Sequence, residues 1–83
     1  PNPFGERTTI KFALPEQTDV TLTVYDTMGR RVATLVDGLV RAGTHRIPWA
    51  GRTRDGQALA SGVYLLRLTA GDQAFTRRMT LVR

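Results

Sequence analysis

Cysteine is absent and histidine occurs once, as His45. No disulfide framework and no Cys/His metal cage can staple this chain, although small exported domains often depend on one. Serine is equally scarce, with Ser61 alone, and acidic side chains number seven against twelve basic ones. The longest uninterrupted apolar run, Val63-Tyr64-Leu65-Leu66, falls far short of the ~18–20 residues that cross a bilayer as a helix. No charged-then-apolar leader opens the chain, which begins at Pro1 rather than Met. A fragment or processed product is expected, with any export signal lying elsewhere.

Eighty-three residues allow one domain, spanning 1–83, whose core is thin because a chain this short buries only ~60–65% of its unfolded surface. The net charge is +5, and the basic set is eleven Arg plus Lys11. A GC-rich genome or a warm habitat accounts for that Arg excess more simply than a polyanionic partner. The lack of free thiols fits an oxidising or extracellular setting.

The dominant hydrophobic period is two. Ile10, Phe12 and Leu14 alternate with Thr9, Lys11 and Ala13; Val20, Leu22 and Val24 alternate with Thr21, Thr23 and Tyr25. Both are half-buried strand patterns. Further strands are predicted over 31–36, 44–49, 62–70 and 73–82, with short additions at 39–43 and 57–59. No window carries apolar residues at helical spacing, so essentially no helix is predicted. Turn chemistry separates the runs: Pro15 to Thr18, Asp26 to Gly29, Asp37-Gly38, Asp55-Gly56 and Gly71-Asp72. Asp26 is placed to cap its turn with a carboxylate, and Gly29 to supply a left-handed residue. Pro48 puts its strand at a sheet edge or a bulge.

Six or seven short antiparallel strands in so few residues define an all-β fold, a small immunoglobulin-like antiparallel β-sandwich without a disulfide. Besides the alternating residues of the first two strands, the predicted core takes Val32, Leu35, Ile47, Trp49, Tyr64, Leu66, Leu68, Phe75, Met79 and Leu81. Arg77 falls in phase with Phe75 and Met79, so either a bulge shifts the register or Arg77 snorkels outward at an edge.

Reactive chemistry is sparse, and no enzyme is expected. His45 is in phase with Ile47 and Trp49, which reads as a partly buried structural histidine rather than a general base. Ser61 lacks a nucleophile-elbow frame. Five of the carboxylates (Glu16, Asp19, Asp26, Asp37, Asp55) fall at strand ends or turns, where they serve the backbone. The loop 50–56 offers Asp55, Thr53 and carbonyls, too few oxygens for a calcium site. No cofactor is expected. The Arg residues are scattered and not interleaved with aromatics, which argues against nucleic acid. Trp49 reads as core; Tyr25, out of phase with its strand's apolar face, is the better candidate for an exposed sugar-stacking ring.

Several strings taken in order resemble a known family: PNPF at 1–4, VTLTVYDTMGRRVATLV at 20–36, AGTHRIPWAG at 42–51, ASGVYLLRLTAG at 60–71 and RRMTLVR at 77–83. The set is similar to the C-terminal sorting domains of the type IX secretion system, and to the related immunoglobulin-like domain of flagellar hook-capping proteins. It departs from that pattern at Ala50 and near Thr53, where the family carries acidic or Asn side chains, and at Arg78 and Arg83, where Lys is usual.

The resemblance implies a non-catalytic address tag. It would direct an upstream cargo through the outer-membrane translocon to the cell surface, with translocon and sortase proteins as partners and any cleavage upstream of Pro1. The protein would be exported, in the periplasm during transit and at the surface or outside the cell afterwards. Recognition is expected at the last strand, where an unpaired edge could template a partner strand. The residues expected to carry it are Arg77, Arg78, Met79, Thr80, Leu81, Val82 and Arg83, supported by Gly71 and Asp72 and by Pro1, Asn2 and Pro3. The alternative readings are a hook-cap-like or spacer module of the same fold and, further off, a carbohydrate-binding module.

Overall fold

Period-two patterning produces six antiparallel strands in the computed structural model, which describes residues 3–83. They are β1 (Thr8–Leu14), β2 (Thr18–Asp26), β3 (Arg31–Val40), β4 (Gly43–Trp49), β5 (Gly62–Ala70) and β6 (Gln73–Leu81). No helix occurs among the described residues. Pro1 and Asn2, expected to support recognition, lie outside the described residues.

The strands form two sheets, a four-stranded one in the order β3-β2-β5-β6 and a two-stranded one of β1 and β4. Their inward faces meet in a core centred on Val20, Leu22, Val24 and Leu81, the most completely buried side chains. This order matches the C′-C-F-G sheet of an immunoglobulin variable domain, with β1 and β4 in the places of B and E. Tyr64 strengthens the match. It sits near the start of β5 and donates its hydroxyl to the Ala60 carbonyl at 2.7 Å, the device of the tyrosine corner.

Local chemistry explains the β2–β3 hairpin. The Asp26 Oδ1 accepts the backbone N–H groups of Met28 and Arg30, each at 2.9 Å. Gly29 takes φ +83°, a left-handed conformation that a side chain would disfavour. β4 pairs with β1 alone, so Pro48, opposite Thr9, takes nothing from an inner ladder. That is the edge position its missing N–H requires.

Three expectations need correction. Asp37-Gly38 does not turn; the two residues stay in β3, opposite Thr21 and Val20 of β2. Cross-strand pairing there overrides the local turn preference, and β3 continues to Val40. In the same strand Ala33 is buried while Val32 and Leu35 are only half-buried. The ladder steps from Val36 to Thr34 and from Ala33 to Arg31, so Leu35 and Val32 are the extra residues of two bulges and the simple alternation breaks. Finally, Phe75 is 57% exposed rather than core. It lies opposite Leu68 at the far end of β6, where the two-stranded sheet does not reach to cover it. The β5–β6 register runs without a shift, so Arg77 stays in the inward phase and is exposed because β6 is the sheet edge.

Phe4 is a core residue that alternation does not reveal, because it precedes β1. It is buried and stacks at a tilt on Trp49, with ring centroids 5.7 Å apart. Its N–H donates to the Thr80 carbonyl at 3.0 Å and its carbonyl accepts the Val82 N–H at 2.8 Å. The segment thus forms a parallel bridge onto the end of β6.

Candidate functional site

The residues expected to carry recognition divide between the two ends of β6. Gly71 and Asp72 form the turn into the strand, while Thr80 to Arg83 lie at its other end, roughly 26 Å away at ~3.3 Å per residue. Pro3 is exposed beside the Phe4 bridge. Arg77 and Arg78 are exposed on the strand between. Met79 and Leu81 point into the core, and Leu81 has no exposed surface at all. Thr80 is half-buried, and its carbonyl is taken by Phe4. Val82 is exposed, with its N–H engaged by Phe4.

The last residue folds back onto the domain. The Arg83 N–H donates to Ser61 Oγ at 2.9 Å. Its guanidinium donates from Nε to the Leu59 carbonyl at 2.6 Å and from Nη2 to the Gly51 carbonyl at 2.6 Å. Charge-assisted bonds of this kind are the stronger ones. The loop they secure is itself closed: Trp49 Nε1 donates to the Arg52 carbonyl at 3.1 Å, Arg52 to the Gly56 carbonyl at 2.8 Å, and the Leu59 N–H to the Gly51 carbonyl at 2.9 Å. The carbonyls of this loop therefore serve the fold. Beside it, Glu6, Arg7, Arg52 and Arg83 line a shallow polar depression.

The open surface lies elsewhere. Between β1 and β6, which share no ladder, runs a shallow groove of about 320 Å³ floored by Ile10, Leu66 and Leu68. Phe75 stands on one rim, and Lys11 and Arg77 flank the opening. No carboxylate lines it. Towards the Phe4 bridge the same groove continues past Thr9 and Met79.

On the outer face of the large sheet, Tyr25 is half-buried beside Thr21, Thr23, Arg31, Thr34, Asp37 and Arg54. The hydroxyls of Thr21 and Thr69 hydrogen-bond across the β2–β5 ladder. His45 packs its ring at 5.4 Å from that of Phe12 and hydrogen-bonds the Arg41 carbonyl through Nε2 at 2.7 Å. Among the described residues no three His, Cys, Asp or Glu side chains cluster as a metal would require. Asp26 titrates below the usual carboxylate range. The backbone N–H of Arg30 is the main cause; desolvation opposes it next in size, and the Arg30 side chain and the Met28 N–H lower it further. That carboxylate holds a turn and faces no cleft.

A disulfide-free two-sheet sandwich with a tyrosine corner defines the chain as an immunoglobulin-like domain. It belongs to the FlgD Ig-like domain family, whose profile matches residues 4–74. The basal-body rod modification proteins FlgD of Salmonella typhimurium and Salmonella typhi are each 42% identical to it over 53 residues. That match takes in 64% of this chain and 23% of the relative, so the chain spans about a quarter of the length of these curated relatives. Among solved structures, PorZ of Porphyromonas gingivalis, an essential bacterial surface component of the type IX secretion system, superposes with a TM-score of 0.67 at 24% identity. The superposition covers 100% of this chain and 11% of PorZ.

Proposed function

We propose that this domain is a non-catalytic recognition module of an exported protein, and that it serves as a sorting domain for the type IX secretion route. The observation that carries this reading is the position of β6. Among the described residues the strand is the outermost of its sheet, and it exposes the side chains of Arg77 and Arg78. Such an edge is a template for a partner's strand, and its positive charge deters self-pairing while steering towards acidic receptor surface. The fold shared with a surface component of that secretion system and the ordered strings from PNPF to RRMTLVR support the same reading. The partners would be translocon and sortase proteins, with a covalently linked cargo upstream, and the cell surface or exterior would be the destination.

A second reading has its own support. The 42% identity to hook-cap relatives favours an immunoglobulin-like assembly module of the hook-cap kind, in which the same edge would contact a neighbouring subunit.

One experiment separates them. The domain is fused behind a secreted reporter in a bacterium that has the type IX system, as wild type and as the double variant Arg77→Glu, Arg78→Glu. Surface reporter that depends on the domain and is lost in a variant of unchanged melting temperature supports sorting. A wild-type fusion that stays in the periplasm, or an unaffected double variant, counts against it. Restored motility when the domain replaces the Ig-like domain of a hook-cap protein would favour the second reading.

A further inference from the structure

An immunoglobulin sandwich ordinarily places a strand beside B, and among the described residues none lies there. The chain runs from the Phe4 bridge to β1 through Gly5, Glu6 and Arg7 alone, too short a link to lay a strand along the outer edge of β1. The consequence is the groove between β1 and β6, with its floor of Ile10, Leu66 and Leu68 and the exposed ring of Phe75. We propose that this groove is a docking site for an extended, acidic segment of a partner protein, which adds to the outer edge of β6.

The edge has the right backbone polarity. The Thr80 carbonyl and the Val82 N–H point outward, since both bond Phe4. The β5–β6 register is unbroken from Gln73 to Leu81, so strand alternation aims the amide groups of Ala74 and Thr76 the same way. Phe4 occupies only the far end of this edge. Among the described residues none pairs with the outer edge from Gln73 to Arg77, about 16 Å at the usual rise, enough for five residues of an incoming strand. Alternate side chains of that strand would enter the apolar groove. The others would project on the outer face, near Arg67 of β5, which is exposed opposite Thr76.

Charge selects the occupant. Lys11 and Arg77 flank the groove, no carboxylate lines it, and the chain carries a net charge of +5. A second copy of this chain would bring its own Lys11 and Arg77 to a groove that no carboxylate lines, and would meet repulsion. An acidic strand meets complementary charge on both faces. This inference concerns the partner's chemistry and stands under either reading of the function.

The test uses the isolated domain and a fluorescent, end-blocked nonapeptide of alternating Val and Glu, with a Val/Lys peptide as control. Saturable binding of the Val/Glu peptide is expected, weakened by salt, with amide shift changes confined to residues 9–12 and 73–77. Thr76→Pro removes an outward N–H without breaking the β5 ladder and should abolish binding at unchanged Trp49 fluorescence. The double variant Lys11→Glu, Arg77→Glu should weaken the Val/Glu peptide by roughly tenfold or more and gain affinity for Val/Lys. Equal binding of both peptides, binding of neither, shifts centred outside the groove, or a domain that dimerises through this edge in sedimentation would each overturn the proposal.

Discussion

Arg83 lies directly over Gly51: its Nη2 donates to the Gly51 carbonyl at 2.6 Å, and a Cβ built on Gly51 would stand 2.8 Å from that nitrogen. Gly51 also takes φ +65°, so the close approach and the left-handed backbone both require glycine. Gly51→Ala should cost about 1–3 kcal/mol in urea unfolding and release the Arg83 side chain. Combining it with Arg83→Ala should give less than the sum of the two single effects, since both act on one contact.

Leu81 is fully buried, and truncating it leaves a cavity in the centre of the sandwich. Leu81→Ala should destabilise by about 2–5 kcal/mol. A domain of this length holds only ~4–12 kcal/mol in total. Deleting Thr80 to Arg83 also removes the Phe4 bridge and the Arg83 bonds, so the truncated chain should be unfolded by circular dichroism. Loss of export on that deletion would therefore report unfolding, and charge reversal at Arg77 and Arg78 is the cleaner probe of recognition.

Phe75 and Met79 occupy the same face of β6 but should behave differently. Met79→Ala should cost about 2–5 kcal/mol, because Met79 is buried against the core. Phe75→Ala should cost about 1 kcal/mol or less, because over half of that ring is already in water. Comparable losses at the two sites in chemical denaturation would mean that the groove is closed in solution.

Asp26 has a folded-state pKa below its ordinary value. Its contribution is therefore present above the unfolded value of about 3.9 and is lost as pH falls through the lower folded value. Asp26→Asn keeps an oxygen for the Met28 and Arg30 amides but carries no charge. Its melting temperature should fall less steeply than that of the wild type below pH 4, with the two curves converging in strong acid.

Phe4→Ala should cost about 3–5 kcal/mol and shift the Trp49 emission to the red, since the ring packed on that buried indole is removed. Fluorescence and thermal melts on the variant check both effects.

Strand identity was legible wherever one face is buried and the other wet, as in Ile10-Phe12-Leu14 and Val20-Leu22-Val24. The Asp26–Gly29 turn was legible because its bonds are local to five residues. Phase failed in β3, where two bulges displace Val32 and Leu35, since a bulge is fixed by the neighbouring strand. Phe75 failed because alternation reports a face and not whether anything covers it. The groove between β1 and β6 depends on sheet order and was invisible in the chain itself. Phe4 left a signal in its place within the PNPF string, four residues ahead of the first strand, although nothing local says that it bridges to β6. The back-folding of Arg83 left none.

The parallel clasp of Phe4 on β6 joins Phe4 to Leu81 across 76 intervening positions of sequence. The clasp is complete only once residue 82 has left the ribosome, since its second bond needs the Val82 N–H. A nascent chain stalled short of that point holds an unfinished core and stays a substrate for proteases and chaperones. Closure of the sandwich thus waits for its last strand, a delay built into where the Phe4 side chain comes to rest.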